Sequence, residues 1–128
     1  TPCGTLFPYT TLFRSDRRSE ITILFQELLY ENFLDKRDVK FYADSLAVSE
    51  NYLNRCVKYA TNKPPKQHIN EVVIYHSKVL LQDPNKDISQ ISYELNFTDP
   101  SYFGRLFKQL TRQSPTEYRN SIRQDLSE

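Results

Sequence analysis

Glycine is scarce in this sequence, with only two Gly among 128 residues. Glycine-rich phosphate loops, dinucleotide-binding turns and tight hairpins need glycine where the backbone takes positive φ or closely approaches a ligand. The scarcity therefore argues against nucleotide-binding enzymes of those classes. No apolar run approaches the roughly 18 residues of a membrane span, and no secretory h-region is visible. We expect no membrane partner.

The first residues resemble a cloning scar rather than native protein. Residues 5–15 read TLFPYTTLFRS, which resembles the in-frame translation of a common sequencing-adapter oligonucleotide. We therefore expect residues 1–15 to be a non-native segment, with a native apolar strand as the alternative. This exclusion removes Cys3 and leaves Cys56 alone, so an intrachain disulfide is excluded and a reducing cytoplasm fits. It also means that the true start of the protein is missing.

Apolar residues recur at helical spacing through the remaining sequence, and no run alternates long enough to predict a strand. Residues suited to begin a helix by capping it occur at Asp38, Ser49, Asp87 and Asp99. The predicted helices cover about 17–35, a short segment after Asp38, 50–61, 65–82, a short segment ending near Leu95, 100–112, and a last helix from 115. We therefore predict an all-α fold.

Helical spacing also predicts which side chains face inward. The predicted core residues are Ile21, Leu24, Phe25, Leu28, Leu29 and Phe33 in the first helix; Ile69, Val72, Val73, His76, Val79 and Leu80 in the long helix; Leu53, Phe103, Phe107 and Leu110 in the helices on either side of it; and Tyr118 and Ile122 in the last.

An internal repeat at a spacing of 50 residues is the strongest feature of the chain. The pattern Tyr-Leu-x-Arg-x-x-Lys-x-x-Thr-x-x-x-Pro over residues 52–65 recurs, with Phe for Leu, over residues 102–115. A short predicted helix and a tight break precede each copy. Each half thus has the order short helix, turn, longer helix, which is the layout of a helix-turn-helix unit.

The longer helix of each half carries side chains suited to reading DNA. In a helix-turn-helix unit the second helix lies in the major groove, with its N-terminal residues at base edges. Arg can bind guanine and Asn can bind adenine through two hydrogen bonds each. Asn51, Asn54 and Arg55 occupy these positions in one copy, and Ser101, Gly104 and Arg105 in the other. Lys58 and Lys108 follow one turn later, where a phosphate can be met.

The charge distribution supports this interpretation. Net charge is only +1, but the two candidate regions are basic. Residues 50–66 hold Arg55, Lys58, Lys63 and Lys66 against Glu50, and residues 99–123 hold Arg105, Lys108, Arg112, Arg119 and Arg123 against Asp99 and Glu117. A basic face hidden within a neutral total is typical of nucleic-acid binding.

At these residues the chain resembles the DNA-binding domain of the AraC/XylS family of bacterial transcription regulators. The most specific stretch is ISQISYELNFTDPSYFGRLFKQLTRQSPTEYR, residues 88–119, which is similar to the family's second helix-turn-helix signature. FYADSLAVSENYLNRCVKYAT, residues 41–61, is a weaker match at the right distance. The resemblance covers about residues 20–122.

The resemblance implies a seven-helix, all-α domain within residues 16–128. Two helix-turn-helix units, about 38–62 and 87–112, are joined by a linker helix at about 65–82 and followed by a last helix at about 115–124. The two recognition helices of one monomer would enter successive major grooves of double-stranded DNA. The family's base-reading positions map onto Asn51, Asn54, Arg55, Pro100, Ser101, Gly104 and Arg105.

The resemblance also implies partners and a location. Family members usually carry an upstream sensing or dimerisation domain, so we expect a missing N-terminal part through which the protein forms a homodimer. We expect RNA polymerase at a promoter as a second partner, and a bacterial cytoplasm, at the nucleoid, as the location.

Three residues depart from the family pattern where it usually has Gly: Asn62, Asn96 and Arg112. Asn tolerates positive φ, and we expect Asn62 to end its helix in the left-handed conformation. Arg112 leaves the geometry of its helix end open.

Two other classes of function are weighed against DNA binding. His68 and His76 lie two turns apart, too far for a helical metal pair, and no nucleophile has a His and an acid in a recognisable arrangement. We therefore expect no enzyme activity, no metal and no cofactor. The remaining alternative is a helical protein–protein interaction module, although such arrays show three or more copies.

Overall fold

The computed structural model describes residues 16–127 of the chain, so the predicted adapter segment lies outside the described residues. Within that range the residues form seven α-helices and no strand, and the predicted all-α class is confirmed. The helices are α1 (Arg17–Asn32), α2 (Val39–Ser45), α3 (Glu50–Thr61), α4 (Pro65–Leu81), α5 (Ile88–Glu94), α6 (Pro100–Thr111) and α7 (Pro115–Ser127). The outer limits of the domain, 16–128, stay a prediction.

Each predicted capping residue begins its helix as the sequence indicates. The carboxylates of Asp38 and Asp99 and the hydroxyl of Ser49 accept from backbone N–H groups of the first turn. Asp87 makes a full capping box, because its carboxylate accepts from the Gln90 N–H while the Gln90 side chain accepts from the Asp87 N–H. Such caps satisfy donors that a helix cannot satisfy itself.

Four non-glycine residues adopt the left-handed conformation that glycine usually fills: Ala47, Asn62, Asn96 and Arg112. Asn62 (φ 64°) and Arg112 (φ 69°) end α3 and α6 in the same way, each donating its N–H to the carbonyl four residues earlier. The prediction for Asn62 is confirmed, and Arg112 takes the left-handed geometry at the helix end that the sequence had left open. Ala47 (φ 58°) is the one that the sequence did not indicate, since Ala prefers right-handed helix.

The described residues form two compact units, divided between Ile69 and Asn70, and α4 runs through the boundary. The first unit packs α1 against α3 around Phe25 and Tyr42, whose rings meet edge to face with centroids 5.4 Å apart. Burial raises the pKa of Tyr42 to about 12, and its hydroxyl donates to the Lys36 carbonyl at 2.7 Å.

The second unit is centred on a row of aromatic rings. Phe103 lies 5.2 Å from Phe97 and 5.9 Å from Phe107, and Phe107 lies 5.8 Å from Tyr118, all measured between ring centroids. Phe103 and Phe107 are completely buried. Aromatic packing of this kind supplies most of the stabilisation of a small helical core, and it fixes α6 with its other face outward.

Several predicted core positions are wrong. Leu24 and Leu110 are exposed. Five others are only half buried: Leu28, Val72, Leu80, Tyr118 and Ile122. In α4 the prediction placed His76 and Val79 inside, but both are exposed, and the buried face instead includes Ile74, Ser77 and Leu81. The predicted face of α4 was wrong because the prediction placed only apolar residues and His76 inside, whereas the polar Ser77 lies in the middle of the buried face. Its hydroxyl donates to the Ile74 carbonyl at 2.7 Å, which satisfies it without water.

Candidate nucleic-acid interface

The repeated residues divide into a structural set and an exposed set. Leu53 and Phe103 are completely buried, and Pro65 and Pro115 are buried at the first positions of α4 and α7. These positions recur because both units need the same packing.

The repeated threonines lie at the C-terminal ends of α3 and α6 and satisfy backbone groups there. The Thr61 hydroxyl lies 2.8 Å from the Val57 carbonyl and accepts from the Lys63 N–H at 3.3 Å. Thr111 does the same with Phe107 and Gln113, at 2.8 and 3.3 Å. Folding therefore accounts for the repeated Thr as well, because a hydroxyl at this place satisfies backbone groups at the helix end.

Folding does not account for the repeated Arg and Lys. Arg55, Lys58, Arg105 and Lys108 are all exposed on the outer faces of α3 and α6. Residues that recur at identical places, point to solvent and carry positive charge are what an anionic partner requires. This exposed, repeated set is the observation that marks α3 and α6 as the candidate interface.

The other predicted base-reading residues lie at the N-terminal ends of the same two helices. Asn51, Asn54 and Ser101 are exposed, and Pro100 is half-buried at the first position of α6. Arg55 leans toward Tyr52, with its guanidinium carbon 5.7 Å from the ring centroid. The structure thus brings the predicted residues of each copy together on one helix, accessible from outside.

Gly104 has no packing reason to be glycine. Its φ is not in the positive region, and a Cβ built on it would meet nothing within 4 Å. The sequence left two explanations open, close helix packing or close approach of DNA. The open space above Gly104 removes the first of them within the described residues.

We expect Gly104→Ala to raise the free energy of unfolding by about 1 kcal/mol, because Gly is that much less favourable than Ala inside a helix. We expect the same variant to bind DNA more weakly, because the added methyl group occupies space that DNA approaches. Urea unfolding and a DNA titration measure the two effects on one protein. Unchanged DNA affinity with the gain in stability would contradict close approach at Gly104.

Arg119 does not belong to the basic surface to which the sequence analysis assigned it. Its side chain is 9% exposed. Its Nε donates to the Leu81 carbonyl at 3.1 Å and its Nη2 to the Asp83 carbonyl at 3.2 Å. A cation at the carbonyl end of a helix is favourable, so Arg119 holds the end of α4 instead of facing a ligand. Arg105, Lys108, Arg112 and Arg123 remain exposed in that stretch.

Two acidic residues, Asp99 just before α6 and Glu117 in the first turn of α7, are engaged in capping. The Glu117 carboxylate accepts from the Ser114 N–H at 2.7 Å, and this hydrogen bond lowers the pKa of Glu117. The Asp99 carboxylate accepts from the Ser101 N–H at 2.9 Å. These acids are therefore held at helix starts by backbone groups, while the arginines and lysines extend from the helix faces.

Residues 16–127 offer neither a metal-ion cluster nor a membrane-spanning helix. No group of three or more His, Cys, Asp or Glu side chains there could hold a metal ion. None of the helices in that range is long and apolar enough to cross a membrane.

Comparison with known proteins decides the family. A family model described as a helix-turn-helix domain matches residues 42–121, which include α3 and α6. The chain belongs to the AraC-type helix-turn-helix family of transcription regulators. It is therefore a sequence-specific DNA-binding domain of a transcription regulator.

One relative is similar in sequence, and two solved structures are similar in fold. The chain is 32% identical over 94 residues to YisR of Bacillus subtilis, an HTH-type transcriptional regulator, and the match covers 73% of this chain but 33% of YisR. It resembles the C-terminal domain of AraT, a response regulator from Geobacillus stearothermophilus, with a TM-score of 0.74, 23% identity, and coverage of 83% of this chain and 88% of that one. It also resembles the AdpA DNA-binding domain solved with a target DNA, with a TM-score of 0.70, 20% identity, and coverage of 87% and 96%.

Proposed function

We propose that the two helix-turn-helix units of this domain read two DNA elements in successive major grooves, with α3 and α6 as the recognition helices. The exposed pair of Arg and Lys that recurs on both helices carries the proposal. Because folding explains the repeated Leu or Phe, the Thr and the Pro, and leaves the repeated Arg and Lys unexplained, we assign these charged residues as ligand contacts. Helix-turn-helix proteins place such residues in the major groove.

Within this proposal each recognition helix contacts bases through residues near its N-terminus and a DNA phosphate through its lysine. Arg55 and Arg105 bind guanine through paired hydrogen bonds, and Asn51 and Asn54 suit adenine. At the start of α6, Pro100, Ser101 and Gly104 bring the backbone close to the bases. Lys58 and Lys108, one turn beyond the arginines, bind phosphates, which supply affinity without sequence preference.

The wider role of the protein is part of the same proposal. The match covers a third of YisR, so the remaining two thirds of a regulator of that size would sense a signal and form the homodimer. The DNA-bound domain would position that regulator beside RNA polymerase at a promoter, in a bacterial cytoplasm at the nucleoid. We propose no catalytic role for it.

Lys108→Ala tests the backbone contact. We expect it to weaken binding to all duplexes by a similar factor and to reduce the slope of log affinity against log salt by about 1, because one phosphate contact releases about one counterion. Lys86 provides the matched control, since its ammonium group is already 2.7 Å from the Glu94 carboxylate. Lys86→Ala should leave the slope unchanged. A loss by Lys108→Ala confined to one DNA sequence would contradict the phosphate role.

A further inference from the structure

One arginine outside the recognition helices is held against the first of them. The Arg18 guanidinium carbon, from the first turn of α1, lies 3.6 Å from the centroid of the Tyr59 ring on α3. Tyr59 itself is 58% exposed. The Asp16 carboxylate is 3.9 Å from Arg18, and both side chains are nearly half exposed, so this ion pair contributes little. The stack on Tyr59 is the closer and more directional contact.

The backbone beneath Arg18 is also fixed relative to α3. The buried hydroxyl of Thr22 lies 2.8 Å from the Arg18 carbonyl and 3.2 Å from the Cys56 carbonyl. Cys56 is completely buried in the packing of α1 on α3. One hydroxyl thus ties the first turn of α1 to the middle of the recognition helix, so the position of Arg18 beside α3 follows from the core.

Tyr59 places that guanidinium along the exposed side of α3. Tyr59 lies one helical turn after Arg55 and is adjacent to Lys58, which the proposed function assigns to a phosphate. Tyr52 and Tyr59 lie two turns apart, so they share one flank of the helix. Each bears an arginine, Arg55 at 5.7 Å from Tyr52 and Arg18 at 3.6 Å from Tyr59. The flank therefore carries two tyrosine rings, each with an arginine guanidinium near it.

We infer that Arg18, stacked on Tyr59, binds a phosphate of the DNA backbone at the rim of the groove that α3 enters. The N-terminal residues of a recognition helix meet the bases, so the C-terminal half of α3, where Tyr59 lies, is nearer the sugar–phosphate strand. A guanidinium placed over the ring face, with its carbon 3.6 Å from the centroid, can keep N–H groups at its edge available. That planar fork matches two phosphate oxygens, and a pre-ordered side chain loses less freedom on binding.

The second unit has no such arrangement at the equivalent place. Fifty residues after Tyr59 the repeat has Gln109, which offers no ring face. The inference therefore assigns to the first unit an extra backbone contact, contributed from outside its helix-turn-helix. It rests on the proposed docking of α3 in the major groove.

The test is a salt titration of duplex binding with the full chain. Its DNA probes are a labelled duplex enriched from random sequence by this protein and a scrambled duplex of equal length. We expect Arg18→Ala to weaken binding to both duplexes by a similar factor and to reduce the salt slope by about 1. Arg17→Ala removes the same charge from the same exposed turn, and we expect it to leave the slope unchanged. An equal change in both variants would overturn the inference, because it would reflect general charge.

Tyr59 offers a test at constant charge. We expect Tyr59→Phe, which keeps the ring, to bind as the parent does. We expect Tyr59→Leu, which removes the ring face, to lose affinity on both duplexes, although no charge has changed. Normal binding by Tyr59→Leu would overturn the role of the stack.

Two controls separate this inference from a purely structural role of Arg18 and from a failure of the proposed docking of α3. In the first alternative, Arg18 only stabilises the packing of α1 on α3. Arg18→Ala would then lower the free energy of unfolding in urea and leave the salt slope at the parent value. That result would overturn the inference. Arg55→Ala in the same series reports on the docking itself. If Arg55→Ala changes base preference and Arg18→Ala changes nothing, only the Arg18 contact is overturned. If neither variant has any effect, the docking of α3 is overturned with it.

Discussion

Arg119→Ala is expected to lower the free energy of unfolding of the second unit by about 2–3 kcal/mol, since hydrogen bonds from charged donors are worth about 1.5–3 kcal/mol. The guanidinium is buried and donates to the carbonyls of Leu81 and Asp83 at 3.1 and 3.2 Å. Without it, two carbonyl groups at the end of α4 lose their donor in a place that water reaches poorly. Urea unfolding followed by circular dichroism measures the change.

Variants at neighbouring positions make that prediction specific. Arg123 lies one turn further along α7 and is exposed, so Arg123→Ala should change stability by no more than about 0.5 kcal/mol. Arg119→Met keeps much of the side-chain volume and removes the donors, and it should be nearly as damaging as Arg119→Ala. Stability equal to that of the parent in Arg119→Met would show that packing, and not hydrogen bonding, is the role of Arg119.

Removing both of the proposed base-reading arginines is expected to weaken sequence preference strongly while leaving the domain folded. Each of Arg55→Ala and Arg105→Ala should cost about 1–3 kcal/mol at one base position. Effects at independent sites add, so the double variant should lose about 2–6 kcal/mol on its selected duplex. Both side chains are exposed, so the unfolding free energy should hardly change.

Competition between selected and scrambled duplexes measures this loss of preference. The double variant should keep only the smaller preference that its remaining base contacts provide, and it should bind both duplexes through its phosphate contacts. The contradicting result is a double variant that still prefers the selected duplex as strongly as the parent does, which would move base reading to other residues. Arg112→Ala, an exposed arginine just after α6, is the control for the loss of positive charge.

Features set by neighbouring residues were predictable from the sequence. Helix starts at Ser49, Asp87 and Asp99 depend on hydrogen bonds over two or three residues, and all three were predicted. The left-handed end at Asn62 is equally local. The all-α class followed from the same local patterns.

Features set by packing between helices were not predictable in this way. Ser77 misled the prediction for α4 because a hydroxyl bonded to its own helix can be buried at little cost. Arg119 was assigned to a surface because burial of an arginine depends on two carbonyls more than 35 residues away in the chain. Ala47 adopts positive φ because the turn between α2 and α3 is short, and Val48 donates its N–H back to the Ala43 carbonyl at 3.0 Å. The turn between α5 and α6 is built in the same way. There Phe97 donates to the Ser92 carbonyl, and Asn96 is the residue with positive φ.

The candidate site was predictable where it depended on the sequence repeat and unpredictable where it depended on packing between helices. The repeat itself identified Arg55, Lys58, Arg105 and Lys108, and the structure places all four on exposed helix faces. Their contacts with bases and phosphates stay predictions. Arg18 was missed, because its relation to Tyr59 arises only when α1 packs on α3. A charge on one helix and an aromatic ring on another leave no periodic signal in the sequence.

The most direct test of the account is selection of random duplex DNA by residues 16–128 at low salt, followed by sequencing of the bound fraction. The account predicts two short enriched elements about one helical turn apart, since successive major grooves on one face of DNA recur at that distance. Selection with Arg55→Ala should reduce the sequence preference within one element, and selection with Arg105→Ala should reduce it within the other. Enrichment of a single element that depends on only one of the two arginines, or no enrichment by the folded protein, would contradict reading by both helix-turn-helix units.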